Sequence, residues 1–308
     1  MIVLEQTPSP LISVVVLTFN SAATIQETLD SLCSQDYHSM EVLICDDGST
    51  DSTQKIVQTW LANHSHLFKR AILLPSSYNE GICKNIQKGY SAARGVWLKP
   101  IAGDDLLVPQ ALLKFAAAAE GSKHDVIVSL LKTFGNNPRI GNVLPSPRDI
   151  TLIAGPSDCL RTELIRRNPI PAPAVLLRRR AFESVGGIDN SFIHLDDWPL
   201  WMRFVEAGRS FGVLQEVLIQ YRVSTESIST RRLAISINKH FLQDIITFYV
   251  KYQRQCLSPV RRWDRSIEIF RWKLAKGLLR SHPNLYKATR SLHAFSPLAW
   301  VKLLRRSE

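Results

Sequence analysis

The stretch "ISVVVLTFNSAATIQETLDSLCSQDYHSMEVLICDDGSTDST", residues 12–53, decides the fold. It opens on a short β-branched run that ends in the polar turn Thr18-Phe19-Asn20. A continuous apolar run of this kind reads as a strand buried on both faces. Ala22, Ile25, Leu29 and Leu32 then recur at helical spacing, with Ser21 or Thr24 placed to cap. Residues 40–50 repeat the strand pattern and run into Asp46-Asp47-Gly48-Ser49. A second helix follows over 51–63, with Asp51 or Ser52 at its start.

The alternation continues outward from there. Residues 70–75, 96–103 and 125–131 read as strands, 80–95 as a helix closed by Gly95, and 109–121 as a helix opened by Pro109. Such alternation predicts an α/β fold, a mainly parallel sheet with helices on both faces. In such sheets ligands bind beyond the carboxyl ends of the strands. The clusters Thr18-Phe19-Asn20, Asp46-Asp47-Gly48-Ser49 and Gly103-Asp104-Asp105 all stand at those ends, so they are expected to converge. Neither G-x-G-x-x-G nor G-x-x-x-x-G-K-[ST] is present, which excludes a dinucleotide fingerprint and a P-loop as the reason. Past residue 132 the pattern loosens. Residues 135–149 read as a loop, 168–189 as a strand and a short helix, 191–208 as a loop entering a helix, and 216–224 as a last strand.

At 308 residues, 45% hydrophobic and 21% charged, the chain can bury a sizeable core and is not of disordered composition. Its cysteines, Cys33, Cys45, Cys83, Cys159 and Cys256, are odd in number and form no C-x-x-C pair. That suits reduced thiols in a cytoplasmic protein and argues against a zinc or disulfide framework. The N-terminus, with Glu5, Pro8 and Pro10, lacks the basic region of a signal peptide. No apolar run is long enough to span a bilayer. Residues 251–308 carry 14 Lys/Arg against 3 Asp/Glu, the whole of the net charge of +11. The first 250 residues are balanced.

Three Asp-Asp pairs sit at loop mouths: Asp46-Asp47, Asp104-Asp105 and Asp196-Asp197. Each alone reads equally as a turn or a helix cap. Three in one balanced domain are harder to explain that way, because adjacent carboxylates repel unless a cation, backbone N–H groups or a metal ion offsets them. A division of labour would use all three. One carboxylate can accept hydrogen bonds from a nucleotide, one can hold a divalent metal against a diphosphate, and one can act as general base.

Residues 12–53 resemble the start of a family-2 glycosyltransferase, an inverting enzyme of GT-A fold. Three further segments resemble that family in the same order. "YNEGICKNIQKGYSAARGVWLKPIAGDDLLVP" is similar to the segment with the metal-binding Asp motif. "GGIDNSFIHLDDWPLWMRFVEAG" is similar to the segment with the catalytic base. "EVLIQYRVSTESIS" is similar to the closing strand and loop. The resemblance covers roughly residues 11–230 and implies transfer from a nucleotide sugar, with UDP the expected nucleotide, to a glycan or lipid-linked saccharide, as in bacterial O-antigen or capsule synthesis. It implies that Thr18, Phe19 and Asn20 line the nucleotide pocket, that Asp47 bonds the base, and that Lys84 and Asn85 lie near the nucleotide. It further implies Mg2+ or Mn2+ on Asp104 and Asp105, and Asp197 as general base with Asp196 beside it. One departure stands out: the family often shows Asp-Ala-Asp-Asp where this chain has Ala102-Gly103-Asp104-Asp105, which puts an acidic contact from position 102 in doubt. His194 reads as a loop histidine and not the base, and Trp198 and Trp201 as core.

The expected organisation is a catalytic domain over 1–230 and a basic helical extension over 231–308. In the extension Trp263, Ile267, Phe270, Leu274 and Leu278 form a helical stripe flanked by Arg265, Arg271, Lys273, Lys276 and Arg280. A second apolar-basic run covers 298–306. Either the stripe packs on the domain, or it lies on anionic lipid and holds the enzyme peripherally on the cytoplasmic membrane. Two other functions fit the sequence less well. A sugar nucleotidyltransferase needs a Gly-rich basic phosphate loop, which "LTFNSAAT" does not supply. A non-catalytic basic protein binding membrane or nucleic acid leaves the Asp pairs unexplained, and no nucleic-acid partner is expected.

Overall fold

The structure, a computed structural model, describes residues 9–136, 140–223 and 239–281. Its described residues fall into two compact units, one within Met1–Asn190 and Asp196–Ser224, the other within Ser191–Leu195 and Thr225–Glu308. The expected boundary at 230/231 and the run 298–306 lie outside the described residues.

The first unit is built on β1 (Ile12–Thr18), which lies between β2 (Met40–Asp46) and β4 (Trp97–Ala102), with β3 (Arg70–Pro75) beyond β2, all parallel. Val14, Val15 and Val16 are fully buried. That accounts for the unbroken β-branched run: a central strand covered on both faces has no solvent side to make polar. Helices α1 (Ile25–Cys33), α2 (Thr53–His64), α3 (Ile82–Ala92) and α4 (Ala111–Ala119) alternate with these strands as expected.

Beyond β4 the sheet departs from a simple parallel order. The order is β3-β2-β1-β4-β8-β6-β9-β5, with β8 (Val175–Arg178) running antiparallel between β4 and β6 (Val126–Gly135). The long β9 (Phe211–Val223) runs parallel to β6, and the short β5 (Leu106–Leu107) closes the edge antiparallel to β9. A further short strand, β7 (Val143–Leu144), pairs with β6. The expected loop over 135–149 and the unassigned stretch after it thus contain β7, α5 (Pro147–Ala154) and α6 (Ser157–Leu164). The start of α5 has a local cause. Ser146 Oγ accepts the Asp149 N–H at 3.3 Å and donates to Asp149 Oδ2 at 2.8 Å, with proline at the first helical position. Helices α7 (Arg179–Ser184) and α8 (Asp197–Glu206) complete this unit.

In the second unit, α9 (Lys239–Phe248) is followed by a wider turn over Tyr249–Gln253 and by α10 (Pro259–Ser281). Asp244, 1% exposed, accepts the N–H groups of Ile193 at 3.1 Å, His194 at 2.6 Å and Leu195 at 3.1 Å. His194 therefore acts here through its backbone. On α10, Ile269 is buried, whereas Trp263 and Phe270 are 62% and 58% exposed.

Candidate active site

The first three loops are knitted together at the carboxyl edge of the sheet. The Asp47 N–H donates to Thr18 O at 2.9 Å, and Gly103 N–H to Leu17 O at 2.8 Å. Asn20 takes a left-handed conformation (φ +49°), which asparagine tolerates better than most residues. Its Oδ1 accepts the Thr50 N–H at 2.8 Å, and its own N–H donates to Ser49 Oγ at 2.8 Å. Gly48, at φ +73°, lies so close to Tyr78 that a Cβ there would stand 2.5 Å from the Tyr78 carbonyl carbon. No side chain fits, so the 78–81 loop is brought directly onto the end of β2.

The acidic residues of this edge do different things. Asp46 is a turn former: it accepts from the Ser49 N–H at 2.9 Å and from Gln54 Nε2 at 2.6 Å. Asp47 accepts the N–H groups of Glu80 at 2.8 Å and Gly81 at 3.0 Å, one on each oxygen. A second lone pair remains on each for a ligand donor. Phe19 is 44% exposed, while Thr18 is buried with its hydroxyl oxygen unpartnered. Asn85 is buried too, and its Nδ2 holds Cys45 O at 2.8 Å, which pins β2. Lys84 stands exposed, paired with Glu80 at 3.2 Å. It is Lys88, one turn on, that reaches the edge, donating to Asp46 O at 3.3 Å and to Ser76 Oγ at 2.7 Å.

The cation that offsets Asp104-Asp105 comes from β9. Pairing of Leu106 with Gln220 sets Arg222 alongside the acidic turn. The Arg222 N–H donates to Asp105 Oδ1 at 2.9 Å and its Nε to Asp104 O at 2.8 Å. Its guanidinium lies 4.4 Å from the Phe134 ring centre and pairs with Glu27 at 2.7 Å. Asp105 is fully buried; burial and the Asp104 charge push its carboxyl well above the usual range. Asp104 is half-buried and is also raised by burial, against the pull of Arg222. A second cation lies inside the sheet: Lys99 on β4 is fully buried and donates to Pro100 O and Pro173 O, each at 2.6 Å. Burial lowers it to about 7, and the charge of Asp105 works the other way.

This turn suits a hard divalent ion. Asp105 Oδ2 is buried without a partner, and Asp104 adds a second carboxylate beside it. Among the described residues no three His, Cys, Asp or Glu side chains gather as a closed metal cage. Two carboxylates completed by substrate phosphates are what Mg2+ commonly takes.

The third pair stands at the start of α8. Asp197 Oδ2 accepts from Asn168 Nδ2 at 2.7 Å, and its Oδ1 from the Trp198 N–H at 2.6 Å. Burial raises Asp197 to about 6, with those two bonds opposing it. Asp196 makes no helix-capping bond; burial and the Asp197 charge push it up to about 8. Both line a cavity of about 110 Å3 whose other walls include Ile86, Tyr90, Ala102 and Trp201. Trp201 is core, 2% exposed, as expected, while Trp198 is tied through Nε1 to Leu164 O at 2.7 Å. Arg222, Lys99, Lys88 and Asn168 escaped the sequence reading. Their roles depend on strand pairing and on contacts distant in sequence, such as Asn168 with Asp197 and Arg222 with Asp105, which carry no local signal.

The carboxyl-edge loops, an acidic turn fit for a metal and a separate half-buried acid pair stand where sheets of this kind bind ligands. The chain belongs to glycosyl transferase family 2, whose profile matches residues 13–186, and it is a glycosyltransferase. It is similar to EpsE of Bacillus subtilis (strain 168), 27% identical over 239 residues, covering 76% of this chain and 80% of that one. Chondroitin synthase of Escherichia coli is 24% identical over 233 residues, 75% of this chain and 32% of the relative. Among solved structures, S. aureus TarS 1–349 with UDP-GlcNAc superposes at a TM-score of 0.59 with 20% identity over 85% of this chain and 72% of that one. The mannosyltransferase PcManGT of Pyrobaculum calidifontis, with GDP-Man and Mn2+, gives 0.59 with 19% identity over 98% and 80%. The fold is GT-A. Among the described residues no helix is long and apolar enough to cross a membrane.

Proposed function

We propose that the chain transfers a sugar from a UDP-sugar, with inversion, to a hydroxyl of a glycan or lipid-linked saccharide in bacterial surface-polysaccharide synthesis. The observation that carries this reading is the half-buried pair Asp196-Asp197, held apart in role by Asn168, on the cavity that Ala102 also lines. Asp197 is the general base. Ionised and aimed by Asn168, it removes the proton of the acceptor hydroxyl as that oxygen bonds to the anomeric carbon and the bond to the diphosphate breaks. A single displacement of this kind turns an α-linked donor into a β-glycoside. Asp196, raised further, keeps its proton near neutrality and spares Asp197 a like-charged neighbour.

Thr18, Phe19, Asn20 and Asp47 receive the nucleoside, with the exposed Phe19 ring as a stacking surface. Lys84 and Asn85 belong to the same side, Asn85 by fixing β2. Asp104 and Asp105 would hold Mg2+ or Mn2+, which would supply positive charge to a departing diphosphate. The Arg222 charge favours the ionised form of both carboxyls, and its backbone N–H holds Asp105. The named ligands of TarS and PcManGT, and the synthase relatives, support a nucleotide-sugar donor and a polysaccharide setting.

The test is metal-dependent hydrolysis of UDP-sugars, with the released anomer read by NMR. Asp197→Asn is expected to keep UDP binding and lower turnover at least about a hundredfold. Turnover that survives in Asp197→Asn, with retention of the anomer, would sink the mechanism.

The exposed Trp263 and Phe270 on α10, beside exposed Arg261 and Arg262, support attachment to anionic lipid. A division into a catalytic domain over 1–230 and a basic extension over 231–308 accompanies that reading.

A further inference from the structure

The segment Ser191–Leu195 leads straight into Asp196 and Asp197 and belongs to the same compact unit as α9 and α10. It runs against one face of α9. The Phe192 ring lies 6.5 Å from that of Phe248, both of them buried, and the His194 ring 6.3 Å from that of His240. Between these contacts Asp244, 1% exposed, accepts the successive N–H groups of Ile193, His194 and Leu195. Residues 240, 244 and 248 stand one helical turn apart, so a single face of α9 grips the whole segment. A carboxylate this deeply buried is costly unless its oxygens are bonded, and successive backbone N–H groups turned one way make a matching seat for it.

The run of donors continues into the site. The N–H groups of Asp196 and Asp197 turn to the Asp196 carboxyl, and those of Asp197 and Trp198 to the Asp197 carboxyl. The N–H groups at the start of a helix have no partner within it, and here carboxylates take that place. Every peptide N–H from 193 to 198 is therefore held by a carboxylate, the first three by Asp244 and the rest by the pair itself. Neighbouring peptide planes share a Cα, so turning the 193–195 peptides away from Asp244 also turns those that bond the acid pair. On the other side, Trp198 Nε1 donates to Leu164 O at 2.7 Å and Asn168 Nδ2 to Asp197 Oδ2 at 2.7 Å. Along the chain the pair is fixed from both sides, and Asp244 is the upstream fixing point. We propose that Asp244 is a positioning residue for the transfer: it holds the backbone that presents Asp196 and Asp197 to substrate, and the segment after residue 230 thereby serves the reaction as well as attachment. The inference rests on the reading of Asp197 as general base and adds a residue to it.

The experiment compares the full chain with its Asp244→Ala and Asp244→Asn variants in Mn2+. Titration with UDP counts the intact nucleotide sites, and hydrolysis of UDP-Glc, UDP-Gal and their N-acetylated forms is then read per UDP-binding site. The nucleotide loops lie elsewhere in the chain, so UDP affinity should be unchanged. In Asp244→Ala, kcat per site should fall about ten- to a hundredfold, the scale of a reacting group misplaced by about 1 Å. Asp244→Asn keeps the shape of the side chain and one acceptor oxygen, and should lose less. A merely structural role gives fewer UDP-binding sites with a normal kcat at each. That result, or unchanged turnover in both variants, overturns the inference and leaves the transferase reading intact. In the wild-type chain the amides of residues 193–195 should exchange with deuterium as slowly as those of α8. Fast exchange there overturns the role of Asp244 even where a variant fails to fold. If the wild-type chain turns over none of the four donors, the UDP-sugar reading itself falls, and this inference with it.

Discussion

Asn168→Ala tests whether the amide of Asn168 tunes Asp197 or only fills space. Asn168 Oδ1 accepts the Ile170 N–H at 3.1 Å, which fixes the amide so that Nδ2 faces Asp197 at 2.7 Å. A donor aimed at a carboxylate favours its ionised form. Burial raises Asp197 to about 6, and the Asn168 and Trp198 bonds restrain that rise. A hydrogen bond to a charged group contributes about 1.5–3 kcal/mol. One pH unit corresponds to about 1.4 kcal/mol, so losing the bond, with water recovering part of it, should shift the acid limb up by about one unit. The sign follows from the role: a base must be ionised, so activity falls as pH drops through its pKa. In the variant the limb should stand about one unit above its wild-type position. Turnover at pH 6 then falls about fivefold, and the deficit narrows above pH 8. The assay is the pH dependence of metal-dependent donor hydrolysis, fitted for the limb and not only for the maximum. A loss of equal size at every pH, with the limb unmoved, would refute the tuning argument and leave Asn168 a packing residue.

Three other outcomes are expected. Because the Asp196 carboxyl is raised to about 8, the native state holds a proton that the unfolded chain releases near pH 4, so its burial weakens stability progressively from about pH 4 to 8. Asp196→Asn should therefore match wild type in thermal melts at pH 4 and exceed it by several degrees at pH 8; a pH-independent gap would contradict this. Asp104→Ala should abolish the metal dependence of UDP binding with little loss of fold, whereas Asp105→Ala, at a fully buried site bonded to the Arg222 N–H, should also lower stability by about 1–3 kcal/mol in denaturant titrations. Vesicle flotation at low salt should retain the full chain on anionic lipid, with release at high salt or in Trp263→Ser/Phe270→Ser; flotation indifferent to both would end the membrane reading.

Much of this protein was legible in its residue order, because the signals are local. The β-branched runs of β1 and β2 and the helical spacing of α1 and α2 mark a sheet buried on both faces, and a parallel sheet gathers its ligands at one edge. The three acidic pairs could be found for the same reason: each stands where a predicted strand or loop gives way to a helix. The Ser146-Pro147 start of α5 is an equally local signal, set inside a Gly/Pro/Asn-rich stretch whose composition is that of a loop. What each carboxylate does was not legible. Asp46 and Asp47 look alike in sequence, yet one closes its own turn and the other holds the 80–81 backbone. Arg222 reaches Asp105 only because β5 pairs antiparallel with β9, and Asn168 reaches Asp197 only once α6 and α8 are folded. The antiparallel insertion of β8 between β4 and β6 decides which side chains wall the cavity, through Pro173 and Val175 at its entry. Hydrophobic pattern reports which face of an element is buried. The partner it is buried against depends on chain topology, and the raised carboxyls depend on that partner.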